Sequence, residues 1–231
     1  MSQLRSVLAT VTVSCLSLAA CASQVDGDHQ GTPLATLAGS VTNTRAQTPS
    51  SADVVVLWVT DGMGDFVTAE TVPVQGSFPA AFSLALYEPP ADIVLNAHPS
   101  GGPKVGLAML SAAEPGQTPS DATPPLGLDP DHLLVYLPED VTAGTFASYF
   151  LHGPAPAGFH IYGFNRLTDA ERQQQLDCRY ALGDEPSYAE IYTQCGGDGL
   201  DEVVPLATDL GTPLSVQLVD DLDSLDLANW M

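Results

Sequence analysis

Asp53-Val54-Val55-Val56-Leu57-Trp58-Val59 is an unbroken run of β-branched and aromatic residues closed by the turn-forming stretch Asp61 to Asp65. Such a run is too short for a buried helix and lacks the polar alternation of a half-exposed strand. It predicts a strand buried on both faces. Upstream, Leu37 to Val41 reads as a weaker strand, separated by the turn-rich stretch Gln47 to Ala52. Downstream, Phe66 to Val74 is strand-like, and Pro73 assigns its end to an edge or a bulge because proline donates nothing to a ladder. Phe82, Leu84 and Leu86 alternate with Ser83, Ala85 and Tyr87 at the period of two that places one side chain in the core and the next in solvent. Further strands are expected at Ile93 to Ala97 and Val105 to Leu110.

Between Ala113 and Pro130 stand five prolines with Gly, Ser, Thr and Asp, the composition of an interdomain linker or of a long loop within one domain. Strands resume at His132 to Leu137, Phe146 to Leu151, Phe159 to Phe164, Val203 to Ala207 (interrupted by Pro205) and Leu214 to Val219. Thr168 with Glu171, and Ser187 with Glu190, have the spacing of capping boxes and predict two short helices. Many short strands between Gly/Pro turns point to a mainly β fold. The expected form is an antiparallel β-sandwich with a small helical, disulfide-bonded insertion near the C-terminus. The division expected is a β-sandwich region over 34–112, the Pro-rich stretch 113–130, and a second β region with short helices over 131–219. That second region is free to complete the same domain, and an acidic tail follows over 220–231.

Composition narrows the function classes. An apolar share of 45% is enough for a packed core, whereas 28 acidic residues against 6 basic ones set a net charge of −22. A phosphate backbone needs a basic face, so nucleic acid is excluded as a partner. The acidic surface favours solubility and leaves divalent-cation binding as the sharper alternative.

The first residues carry Arg5 and no acid, then a short apolar stretch from Val7 to Leu18 that ends in Leu18-Ala19-Ala20-Cys21. This is the pattern of an export signal over 1–20, too short to span a membrane. The Leu-small-small-Cys box resembles that of the bacterial lipoprotein class at every position. The resemblance implies a diacylated Cys21 as the mature N-terminus, followed by a tether over 21–33, and hence the membrane as a partner through a lipid anchor. Ala22 stands where an Asp would imply inner-membrane retention, so the outer membrane is implied. From Leu37 to Pro90 the strand order loosely resembles Ig-like sandwich modules, and no functional residue is carried over from that likeness.

Once Cys15 leaves with the signal and Cys21 takes lipid, Cys178 and Cys195 remain. No CxxC or HxxxH spacing accompanies them, and in an exported protein they are expected to form a disulfide. No GxSxG, HExxH, P-loop or GxGxxG is present. Asp61 and Asp65 are the best carboxylates for acid/base work, yet Asp-capped turns are the common outcome for such a pattern. His152 and His160 flank one turn and more often sit at strand edges than share a metal. Gly196 to Val203 fits one copy of a calcium-binding glycine-aspartate repeat, with Asp198, Asp201 and Glu202 as ligands. A single copy is expected to bind calcium weakly if at all. No catalytic residue and no cofactor are assigned. The sequence therefore reads as a non-catalytic binding or structural module with an envelope protein or glycan as its partner. The alternatives are a carboxylate-dependent envelope hydrolase and a calcium-stabilised carbohydrate binder.

Overall fold

In a computed structural model of the chain, the residues described are 31–60, 66–97, 103–120, 123–142, 154–183, 186–197, 199 and 203–225. The strands are β1 (Ala35–Asn43), β2 (Ser51–Val59), β3 (Phe66–Gln75), β4 (Ala80–Leu86), β5 (Leu95–Ala97), β6 (Lys104–Ala113), β7 (Gly127–Leu128), β8 (His132–Leu137), β9 (Gly158–Arg166), β10 (Val203–Thr208) and β11 (Leu214–Leu218). They belong to one sheet with the path β10-β9-β8-β6-β7-β11-β1-β4, from which β2 and β3 branch off β6. Strands on either side of the Pro-rich stretch thus share a sheet, and that stretch is a connection within it. The helices are α1 (Asp169–Ala181) and α2 (Tyr188–Cys195). The fold is mainly β with a small helical insertion, as the turn spacing predicts.

β6 organises the sheet. Its second half pairs with β2 on one side and with β7 on the other, while its first half pairs with β5 and β8. The sheet curls so that one face closes on a single core. Val54, Val56 and Trp58 of β2 meet Ala108 and Leu110 of β6, Leu37 and Val41 of β1, Phe82 and Leu84 of β4, and Val216 and Leu218 of β11. Val55 and Leu57 point the other way and are also buried, with Ala113 and Phe66 around them. This is the two-faced burial that the run Asp53 to Val59 predicts. A second cluster on β8 joins Leu133, Val135 and Leu137 to Val105, Val141 and Tyr162.

Some expectations change. The sheet is mixed: β11 runs parallel to β1, with Val216 opposite Val41. Ile93 lies in a 3-10 turn, Asp92–Val94, and only Leu95–Ala97 pairs as a strand. β7 stands inside the Pro-rich stretch, where composition signals a linker or a long loop. Its Gly127 has a packing reason, because a Cβ there would collide with the backbone carbonyl of Gln217 on β11. Gly39 on β1 meets the Leu214 backbone in the same way. The close approach of β1 on one side of β11 and of β7 on the other therefore depends on two residues without side chains. The start of the acidic tail is docked on the sheet. Leu222 and Leu225 pack on Leu128 and Val219, and Asp220 accepts from the Ala46 amide and pairs with Arg45 at 3.5 Å. The expected strand Phe146 to Leu151 lies outside the described residues.

Both capping boxes form. The Thr168 hydroxyl accepts the Glu171 amide at 3.3 Å, and the Glu171 carboxylate accepts the Thr168 amide at 2.7 Å. Ser187 and Glu190 repeat the arrangement for α2. These hydrogen bonds hold both glutamates below the ordinary carboxylate pKa. α1 buries none of its residues, so core packing does not hold it in place. The Cys178–Cys195 disulfide ties it to α2, with Cα atoms 5.6 Å apart, and the Gln175 side chain donates to the Gly196 carbonyl at 3.3 Å. Closing a loop of this length is worth about 3 kcal/mol in the chain-entropy model. Cys178→Ser is expected to raise amide exchange throughout α1 and remove most of its helical signal. The β core should still unfold cooperatively at a lower midpoint. Unchanged protection of α1 in the variant would show that the helix is held by something other than the cross-link.

Candidate functional site

β3 and β4 are joined by the turn Gly76 to Pro79, yet they do not pair with each other: β3 pairs with β2, and β4 with β1. Beyond the turn, a groove opens between β3 and the segment that follows β4. It encloses about 310 Å³ and is lined by Trp58, Val67, Thr68, Glu70, Leu86, Glu88, Pro89, Pro90, Ala91, Val94 and Phe159. Pro89 and Pro90 end β4 and turn the chain across the sheet end, so their rings and Val94 form one wall. The register of β2 against β3 slips between Val55, opposite Thr71, and Leu57, opposite Thr68. The extra β3 residue is a bulge, a device that redirects side chains. Thr68 and Glu70, two positions apart on β3, both line the groove.

The groove floor is aromatic. Trp58 is 3% exposed and Phe159 6%, their ring centroids lie 6.3 Å apart, and Tyr136 backs Phe159 at 4.9 Å. Tilted pairs of this kind add to area burial and fix ring orientation. Gly106 lies against Trp58, where an added Cβ would stand 3.0 Å from the indole. The Thr68 hydroxyl is buried with no hydrogen-bond partner among the described residues. Glu70 and Glu88 bring a carboxylate from each wall.

The chain enters the sheet beside this groove. Ala35 lies opposite Leu86, and the Leu34 amide donates to the Leu86 carbonyl at 2.7 Å. Leu34 and Ile93 are the large apolar side chains exposed at this end, at 55% and 69%.

A second polar constellation has a different character. Asp129 is fully buried. Its Oδ1 accepts the Asp131 amide at 2.9 Å, its Oδ2 accepts the Ser215 amide at 2.9 Å, and His132 Nδ1 donates to the carboxylate at 3.1 Å. The Asp129 hydrogen bond raises the His132 pKa above its ordinary value of 6.5. Partial burial opposes the rise, and the charges of Asp129 and Asp131 reinforce it. Both carboxylate oxygens are thus committed to fastening the turn between β7 and β8 to the start of β11. Its chemistry is that of a clamp. The sequence signal for it is Asp129-Pro130-Asp131-His132, an aspartate followed by amide and imidazole donors two and three positions on.

Of the residues singled out in the sequence, Cys178 and Cys195 are joined as expected. His160 donates Nε2–H to the Pro156 carbonyl at 2.7 Å. His152, Asp61, Asp65, Asp198, Asp201, Glu202 and the Leu18 to Cys21 box lie outside the described residues. Among the described residues no group of three or more His, Cys, Asp or Glu is placed to hold a metal ion. Among them, too, no helix is long and apolar enough to cross a membrane. Comparison with protein-family models, curated proteins and solved structures finds no match. The disulfide points to an oxidising compartment, outside the cytoplasm.

Proposed function

We propose that the chain is a lipid-anchored, non-catalytic binding module of the bacterial cell envelope, held at the outer membrane through Cys21, with the groove between β3 and the β4 exit as its ligand site. The observation that carries this reading is the groove itself. It is a concave, mostly apolar space with a few convergent polar groups, the usual form of a small-molecule site. Its position supports the anchor as well. The chain enters the sheet next to the groove, so the tether over 21–33 would present that end toward the membrane. Two or three acyl chains on Cys21 would hold durably, since each buried methylene adds about 0.8 kcal/mol.

Cys21→Ala, expressed in a bacterium with the lipoprotein pathway, is expected to accumulate an unprocessed precursor and lose acyl labelling, whereas wild type is labelled and shortened. Processing and labelling that persist in the variant would remove the anchor from this reading and leave the groove untouched.

A further inference from the structure

We propose that the end of the sheet where the chain enters is a membrane-contact surface, with Leu34 and Ile93 seated in the headgroup region of a zwitterionic bilayer; the proposal rests on the lipid-anchor reading above. Several strand ends meet here. Trp58 near the end of β2, Val67 near the start of β3, Leu86 at the end of β4 and Phe159 near the start of β9 line one groove, together with Val94. Leu34 is fastened to this end by its amide, which donates to the Leu86 carbonyl at 2.7 Å. Ile93 is placed by the 3-10 turn Asp92–Val94, which buries Val94 completely and leaves Ile93 outside. Pro89 and Ala91, on the segment leading into that turn, are exposed as well.

Exposed apolar residues scattered singly are ordinary on a protein surface. These two are not scattered. Among the described residues three large apolar side chains are exposed, and the third, Tyr180, belongs to α1, which the chain reaches from the opposite end of β9 at Arg166. The tether decides what covers the pair. As a flexible chain the stretch 21–33 spans about 20 Å root-mean-square, whereas a folded body of this length is on the order of 40 Å across. An acylated Cys21 therefore holds the entry end nearest the bilayer, at an effective concentration of about millimolar or above. Two side chains too few to recruit a free protein suffice under that condition. Charge selects the lipid. Glu88 and Asp92 are exposed beside Ile93 in a chain of net charge −22, so an anionic surface is repelled, and so is a second copy of the chain. A zwitterionic surface carries cationic groups at the depth where these carboxylates lie.

The test uses the lipidated, full-length mature protein in phosphatidylcholine vesicles, with Leu34→Cys, Ile93→Cys or Tyr180→Cys made singly and labelled with a nitroxide. The introduced thiol is the free one, because Cys178 and Cys195 are bonded to each other and Cys21 carries lipid. All three positions are exposed, so the label leaves the core intact. The reference is the same mature chain with Cys21→Ser, unlipidated and mixed with the same vesicles. Apolar side chains that enter an interface sit about 5–10 Å into the headgroup and acyl boundary, so anchoring should cut collisions with an aqueous nickel chelate by about fivefold or more at 34 and 93. Collisions at 180 should not change. Leu34→Glu should restore chelate access at 93, because the two side chains enter together. Equal access at 93 in anchored and unanchored protein, protection at 180 as strong as at 93, or protection at 93 that survives Leu34→Glu overturns the contact surface and leaves the anchor standing. Protection at 93 that needs no vesicles and grows with protein concentration means that a second copy covers the patch, and overturns the proposal equally. An intact mass showing no lipid on Cys21 overturns the anchor, and the contact surface with it.

Discussion

Asp129→Ala should lower the unfolding free energy by about 3–5 kcal/mol, because it strands two backbone amides and a partly buried imidazole that converge on one buried carboxylate. Urea unfolding at neutral pH measures the loss as a shift of midpoint at unchanged slope. Asp129→Asn should fall between the two, since its amide oxygen accepts but its NH2 faces a donor. A pH signature accompanies the effect. The folded state raises the His132 pKa, so it binds the proton more tightly than the unfolded chain does. The resulting stabilisation is fully present below about pH 6.5, the unfolded value, and is lost as pH rises through the raised folded value. His132→Asn should therefore cost more stability at pH 5.5 than at pH 8.5, and in an Asp129→Ala background this difference should shrink or vanish. An Asp129→Ala loss below about 1 kcal/mol would mean that water or a neighbouring group satisfies the donors and that the clamp is incidental.

Trp58→Ala should have an effect of similar size through a different cause. The indole is 3% exposed, packs at a tilt against Phe159 and belongs to the main core, so truncation leaves a large cavity. Substitutions of this type cost about 3–5 kcal/mol. Trp58→Phe should recover much of that stability and retain an aromatic groove floor. A small stability loss in Trp58→Ala would indicate that Pro90 and Leu95, which lie beside Gly106 and the indole, collapse into the space.

The features legible in the sequence are those whose physics is local. β2 follows from its β-branched run, β4 from strict alternation, and α1 and α2 from a hydroxyl and a carboxylate three residues apart. The disulfide follows because two cysteines remain once the N-terminal pair is assigned to export and lipid. What escapes is set by pairing between distant segments. Nothing within Leu214 to Leu218 says that its neighbour is β1 or that the two run parallel. Gly127 sits among turn-forming residues, and the reason for its missing side chain is the carbonyl of a strand far along the chain. Glu70 and Glu88 are unremarkable in sequence, and they come to one groove only because β3 and the segment after β4 lie beside each other in the fold. Asp129 reads as one acid among 28, because the amides it serves belong to the next turn and to β11.

Intact mass analysis of the protein purified from its own envelope, under non-reducing conditions, examines anchor, compartment and cross-link together. The proposed reading requires a chain beginning at Cys21, heavier by a diacylglyceryl group and an N-acyl chain. It must be lighter by two hydrogens for Cys178–Cys195, and on ester hydrolysis must lose its two O-acyl chains while keeping the thioether-linked glyceryl group and the amide-linked acyl chain. A chain that keeps Met1, or one cut elsewhere and carrying no lipid, would contradict a lipid-anchored envelope module.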